Sequence, residues 1–402
     1  MTARPLHGVR VIDMCTFVAG PTAGRMLAEL GADVIRIDPT RGAIDSDRWP
    51  VAGNGSSLYW AGLNQAKKSV AVDTRSEAGR ALVTELIAES DVLLDNISRA
   101  EWLSNTILTE RRPDLIHLHI QGNPDGTPAV DYTVNASIGV PLMTGTVDST
   151  APVNHVLPAW DMITGVHAAL GIVAALRLRD TTGAGSYLEL ALSDVALSGV
   201  AAMGWVAEAE EVAHGRPRQG NALYGSYGAD FPTADGRSIM VVGLTTGQWK
   251  ALVDATGTAE VFAALEKQRG LDLNESADRF AARDAITAVV RPWFESRTLS
   301  EIENDLAGTR VLWSAYRDLS ELAARVEAAE HDSVIQRVVH PGVGSVLTSR
   351  PALRWQGKYT DASPSPRHGQ HTVDILAASL GLDADEIDAL VRSGVIAGGD
   401  AS

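Results

Sequence analysis

The sequence predicts an α/β protein: a doubly wound, Rossmann-like large domain with a smaller α+β domain. Three observations carry that prediction. The first stretch of the chain, to about residue 120, alternates short β-branched runs with helical patterns, as strand–helix–strand units do. Its strands read as nearly continuous apolar runs, which parallel strands covered on both faces require. At 402 residues the chain exceeds one ordinary core, and its texture changes near Gly215.

The elements follow in order. GVRVIDM is a strand, and PTAGRMLAELG is a helix opened by Pro21 and closed by Gly31. ADVIRID and SVAVD are strands, and an amphipathic helix runs from Ser76 to Glu89. DVLLDN and DLIHLHI are strands again. A helix opens at PAWDM, ends before TTGAG, and leads to the strand YLELAL and a helix from Ser193. HGRPRQGNALYGSYGADF reads as a long loop or hinge, and FPTADGRSIMVVGL as a hairpin turned by Asp235-Gly236. Helices are expected from about Thr246 and from Ala277, with a capping-box pattern at Thr298 to Glu301. SPSPRHGQHT is a loop and LDADEIDALVRSGVI a closing helix. The domains expected are 1–215 plus 330–402 for the large one and 216–329 for the small one.

Composition limits the function. A net charge of −16 argues against a nucleic-acid partner, because phosphates need a basic face. It leaves small anionic ligands open, since a few amides and cations hold those. The run Val166 to Leu176 falls short of the roughly 18 apolar residues a membrane span needs, and it contains His167. One cysteine, Cys15, excludes an internal disulfide framework and a thiolate zinc site. With no signal-peptide pattern at MTARPLHGVR, a cytoplasmic location is expected.

Chemistry-bearing residues are few. Asp161 precedes the most apolar helical run of the chain. It is either the cap of that helix or a carboxylate kept ionised at the helix end and able to attack an acyl carbon. FVAGPTAG lies between the first strand and its helix but lacks the G-x-G-x-x-G spacing, so a nicotinamide cofactor is not supported. A phosphate-binding P-loop and a G-x-S-x-G elbow are also missing from the sequence. His117 and His119 share one strand face and read as core or cleft-wall histidines; a metal site needs a third ligand. His155 is either a solvent-facing loop residue or a polar group of the cleft. Asn64, Lys67, Lys68 and Arg75 are either a solvated cluster or a cationic rim. Arg216, Arg218 and Gln219 are either exposed hinge residues or a clamp on a substrate carboxylate.

Three blocks in order resemble the class III CoA-transferase family of the CaiB–BaiF type. They are PLHGVRVIDMCTFVAGPTAGRMLAELGADVIRID, LNQAKKSVAVDTRSEAGRALVTELIAESDVLLDN, and VDYTVNASIGVPLMTG with PAWDMITGVHAALGIVAALRLRDTTGAGSYLELAL. The resemblance implies that Asp161 is the nucleophilic aspartate and that two chains interlock as a homodimer. It implies no prosthetic group, with CoA arriving as a substrate moiety. The implied CoA contacts are Val18 and Ala19, Val72, Asp73, Thr74 and Arg75, and Asn96, Ile97 and Ser98. One branch of the family racemises acyl-CoA thioesters with a histidine before an aspartate; Ala129 to Asp131 lack that histidine. DRWPVAGNGSSLYWAGLN, VNHVLPAWD, RPRQGNALYGSYGADF and MVVGLTTGQWKAL resemble a branch that moves CoA between the two carboxyl groups of one branched unsaturated C4 dicarboxylic acid. In that mechanism Gly220 and Asn221 are the expected oxyanion donors. The alternatives are CoA transfer to a separate dicarboxylate and a non-catalytic acyl-CoA-binding protein.

Overall fold

The computed structural model describes residues 4–98, 100–212, 215–329 and 333–398. In chain order the strands are β1 (Arg10–Met14), β2 (Asp33–Asp38), β3 (Lys68–Val72), β4 (Val92–Asp95), β5 (Ile116–Gln121), β6 (Ser186–Ala191), β7 (Tyr227–Pro232), β8 (Ser238–Gly243), β9 (Leu312–Ala315), β10 (Ile335–His340), β11 (Gly344–Ser349) and β12 (Ile396–Ala397). Contacts divide the chain into two compact units. The first holds Met1–Ile138, His155–Val206 and Arg325–Ser402, and the second Gly139–Asn154 and Ala207–Ala324.

The first unit is organised by a seven-stranded sheet in the order β12-β3-β2-β1-β4-β5-β6. Strands β1 to β6 are parallel, and β12 joins the edge antiparallel to β3. Successive side chains of a strand point to opposite faces, so each strand feeds two cores. Val11, Val34, Leu94 and Ile116 pack on one side with residues of the helices Ala19–Glu29 and Ala159–Thr182. Ile12, Ile35, Val70 and Leu93 pack on the other with the helix Glu77–Ala88 and the C-terminal helices. The C-terminal segment is tied in by Ala71, whose N–H donates to Thr372 Oγ1 at 3.0 Å.

The helices Ala19–Glu29 and Ala159–Thr182 meet at Gly165. A Cβ there would lie 2.6 Å from the Ala19 carbonyl oxygen, so only glycine permits this approach. The second helix is 24 residues long, with a mean hydropathy of 1.5 over its most apolar window. By length and composition it is long enough to cross a membrane, although its apolar run, Val166 to Leu176, is short and contains His167. Here Ala168, Ile172 and Leu176 are buried against the sheet side.

The second unit carries the three-stranded sheet β7-β8-β9. Tyr227, Phe231, Ile239 and Phe294 form its core, with the Phe231 and Phe294 rings stacked at 4.5 Å. The hairpin turns at Gly236 with φ 74°, and Thr298 caps the helix Leu299–Leu306 by accepting from the Glu301 N–H, both as the sequence signals. Segment Gly139–Asn154, expected in the large domain, belongs to this unit. The reason is Arg218: its guanidinium donates to the Leu142 and Ser149 carbonyls at 2.9 and 2.8 Å.

Candidate active site

The sheet fixes where a ligand fits. Strands β2 and β3 build outward from one side of β1, and β4 to β6 from the other. The chain therefore diverges between β1 and β4, and the segments leaving their carboxyl ends open a crevice. A cavity of about 820 Å³ lies there, within the size range of small-molecule sites. Thr16 to Ala19, Asn96 and Ser98 line it from the two diverging segments; Asp131 and Asp161 line it as well.

The β1 segment is held rigidly. The Thr16 N–H donates to Asn96 Oδ1 and Asn96 Nδ2 donates to the Thr16 carbonyl, both at 3.2 Å. Phe17 adopts φ 68°, a left-handed conformation uncommon outside glycine, and its N–H donates to Asp45 Oδ2 at 2.9 Å. Asp45 is fixed in turn by the buried Arg36, whose guanidinium also engages Asp38 and Asn64. Beside it the buried Lys67 ammonium donates to Asp13 Oδ2, the Pro21 carbonyl and Asn64 Oδ1. Buried charges of this kind contribute definition more than net stability, and here they define the floor beneath the crevice.

Asp161 sits in the first turn of the helix Ala159–Thr182, but it is not the cap. That role falls to Asp131, a buried carboxylate at the start of the helix Asp131–Ser137. Its Oδ2 accepts from the Trp160 and Asp161 N–H groups at 2.8 and 3.1 Å. Its Oδ1 is held by His155 Nε2, and Trp160 Nε1 donates to Asn135 Oδ1 at 2.9 Å. The free amides that ordinarily stabilise an anion at a helix start are thus spent on Asp131. Among the described residues the Asp161 carboxyl has no hydrogen-bond partner. Burial, and then the adjacent Asp131 charge, push its pKa up to about 7, while Arg48 pulls the other way. A desolvated, unpaired carboxylate of raised basicity in a ligand-sized cavity is equipped to attack an electrophilic acyl carbon.

The model of CoA-transferase family III matches residues 6–372. The chain belongs to CoA-transferase family III. It is 44% identical to the 2-methylfumaryl-CoA isomerase of Chloroflexus aurantiacus, over 98% of both chains. It is 29% identical to the succinate–glutarate CoA-transferase of Agrobacterium fabrum, over 93% of this chain and 95% of that one. It is 27% identical to the formyl-CoA:oxalate CoA-transferase of Streptomyces avermitilis, over 98% and 100%. A CAIB/BAIF family protein from Brucella suis superposes with a TM-score of 0.75 at 25% identity, covering 94% of this chain and all of that one.

Against this family III frame, the residues singled out from sequence fall into groups. Asp161, Val18, Ala19, Asn96 and Ser98 come together around the cavity. Ile97 packs instead against the core beside β4, its N–H donating to Asp95 Oδ1 at 3.0 Å. Val72 is buried in β3, and Asp73, Thr74 and Arg75 form the turn after it, with Arg75 paired to Asp73 at 2.8 Å. No cationic rim forms there: Lys67 is buried on Asp13, and Lys68 pairs with Asp33. His155 is neither a free loop residue nor a wall of the cavity; it acts on Asp131. His117 and His119 both bond Asp95, at 2.7 and 2.9 Å; His117 is buried and His119 lines the cavity. Arg216 belongs to the second unit and is engaged by Glu208 and the Tyr224 ring; Gln219, Gly220 and Asn221 follow it, the last two exposed. The carboxylate clamp expected of Arg216 and Arg218 is therefore not formed by free guanidinium groups, because Glu208 and the Leu142 and Ser149 carbonyls engage them. Arg48 and Tyr59 line the Asp161 cavity and were not singled out. The signal was present: an arginine in a segment rich in Trp and Tyr suits guanidinium–ring stacking.

Proposed function

We propose that this chain interconverts 2-methylfumaryl-CoA and 3-methylfumaryl-CoA by moving CoA between the two carboxyl groups of one unsaturated dicarboxylic acid with a methyl-branched four-carbon chain, with Asp161 as nucleophile. The observation that carries the reading is the unpaired, desolvated Asp161 carboxyl in the switch-point cavity of a chain 44% identical to a 2-methylfumaryl-CoA isomerase. An Asp161 oxygen attacks the C1 thioester carbonyl, the C–S bond breaks, and CoA thiolate leaves behind an aspartyl–acyl anhydride. The thiolate attacks the aspartyl carbonyl, giving an aspartyl thioester and the free dicarboxylate. The C4 carboxylate of that acid attacks the aspartyl thioester and expels the thiolate again. The thiolate then attacks the C4 acyl carbonyl, releasing Asp161 and the isomeric thioester. Every step balances with Asp161, the acid and CoA, without a prosthetic group. Val18, Ala19, Asn96 and Ser98 line the same cavity, which supports a role for them in meeting the CoA portion, and holding CoA and the acid together makes each return step effectively unimolecular.

The test is a chromatographic assay with 2-methylfumaryl-CoA as the only substrate. The isomer is expected to accumulate to equilibrium without added acid. If turnover instead demands a separate dicarboxylate, the chain is an intermolecular CoA-transferase, like the succinate–glutarate and formyl-CoA:oxalate CoA-transferases of Agrobacterium and Streptomyces.

The reading includes a second copy of the chain as partner. Met162, Val166 and Leu170 recur every fourth residue along one face of the long helix and are 42%, 46% and 65% exposed. A helix apolar on its outer face as well as its inner one calls for a cover, and a second copy supplies it. Sedimentation equilibrium is expected to give twice the chain mass, and Leu170→Asp to shift the protein toward monomer.

A further inference from the structure

If Asp161 accepts one end of the acyl group, something in the same cavity must receive the other. We propose that Arg48 binds the free carboxylate of the acyl group and thereby restricts the enzyme to monothioesters of dicarboxylic acids. This rests on the reading of Asp161 as acyl acceptor.

Arg48 is the one arginine or lysine among the described residues lining the cavity. The other nearby cations are committed. Arg36 and Lys67 are buried on carboxylates, Arg75 pairs with Asp73, and His119 bonds Asp95. Arg48 instead lies over two aromatic rings, with its guanidinium carbon 5.6 Å from the Phe17 centroid and 5.4 Å from that of Tyr59. No described carboxylate pairs with it. Stacking leaves the in-plane N–H fork available, the geometry that grips a carboxylate bidentately.

The clamp is prepared before any ligand arrives. Asp45 holds the Phe17 backbone in its left-handed conformation, and the Asp45 carbonyl accepts from the Arg48 N–H at 3.3 Å. Ser57 Oγ donates to the Arg48 carbonyl, and the same oxygen caps the helix Leu58–Leu63 that carries Tyr59. The guanidinium and both rings are therefore positioned by one short stretch of bonded chain.

The same cation answers a requirement of the chemistry. Between the two anhydrides, while Asp161 is held as its neutral thioester, the released acid is a dianion beside the carboxyl group of Asp131, which repels it. A fixed guanidinium offsets that repulsion and retains the acid. Because both ends of the acid are carboxylates, one cation and one nucleophile serve both orientations: either end reacts while the other rests on Arg48.

The experiment compares binding of succinyl-CoA and butyryl-CoA, which differ by a carboxylate in place of a methyl group, by calorimetry. An Asp161→Asn background prevents turnover. Succinyl-CoA is expected to bind roughly 10- to 100-fold more tightly, as a charged hydrogen-bonded pair allows. Adding Arg48→Gln removes the preference by weakening succinyl-CoA alone, and Arg48→Lys restores part of it. No preference in the background, a preference that survives Arg48→Gln, or equal weakening of both ligands overturns the proposal. Isomerisation of 2-methylfumaryl-CoA by the unaltered protein is scored separately. Preserved discrimination without isomerisation refutes the functional reading and leaves the Arg48 assignment standing; isomerisation without discrimination does the reverse.

Discussion

Asp161→Asn is expected to reduce isomerisation by roughly 10⁴-fold or more, the scale on which loss of a covalent nucleophile acts. Asparagine is nearly isosteric and the Asp161 carboxyl has no described hydrogen-bond partner to lose, so the fold should persist. Two pH effects accompany the loss. In the unaltered protein the carboxyl is raised to about 7, so kcat/KM should rise with pH through about 7 and level off above it. Asp131 contributes to that raise after burial, so Asp131→Asn, which keeps an acceptor for the Trp160 and Asp161 N–H groups, should move the acid limb to lower pH. The stability sign runs with burial. A carboxyl whose folded pKa lies above its unfolded value of 3.8 destabilises the fold increasingly as pH climbs from 3.8 through about 7. Asp161→Asn should therefore raise the thermal midpoint more at pH 8 than at pH 4. An acid limb indifferent to Asp131, or a midpoint gain larger at pH 4, contradicts this electrostatic account.

The sheet was legible because GVRVIDM, ADVIRID and DVLLDN concentrate Val, Ile and Leu in short runs, as parallel strands buried on both faces do; the charges among them at Asp13, Arg36 and Asp38 are buried in ion pairs that the runs themselves do not announce. Short or exposed pieces carry weaker signals. Strand β9 has only four residues and β12 only two, too short to show a pattern; the hairpin β10–β11 did carry a signal, the Pro341-Gly342 dipeptide at its turn, that was not taken up. Asp161 was legible as an acidic residue before an apolar helix, but the identity of its cap was not. Asp131 is 30 residues away, and nothing in local spacing links the two. The same holds for the charges near β3. Asn64, Lys67 and Lys68 look like one solvated cluster in the chain, yet the fold buries Lys67 on Asp13 and leaves Lys68 at the surface with Asp33. Such long-range pairings decide which cation remains for a ligand, which is why the local signal at Arg48, an arginine among aromatic residues, was not enough to single it out.

The second large effect concerns the ionic floor of the crevice. Arg36→Met is expected to cost roughly 3–5 kcal/mol, because it strands Asp38 and Asp45 without their shared cation. Arg75→Ala, which breaks an exposed, solvent-screened pair with Asp73, should leave stability almost unchanged. The contrast separates burial from mere pairing, and urea-unfolding midpoints measure both. The Arg36 effect also has a pH signature. Burial already pushes the Asp45 carboxyl up while Arg36 opposes it, so removing Arg36 raises it further. The variant's deficit should then grow as pH rises above the ordinary carboxylate range and shrink toward low pH, where protonation relieves the stranded Asp45 carboxyl. Because Asp45 also holds the Phe17 N–H, Arg36→Met should loosen the ring over which Arg48 stacks. Catalytic loss then accompanies the stability loss even though Arg36 never meets the substrate. A variant that unfolds at the normal urea concentration would mean that Asp38 and Asp45 find solvent, and that the floor beneath the crevice is not built on this cation.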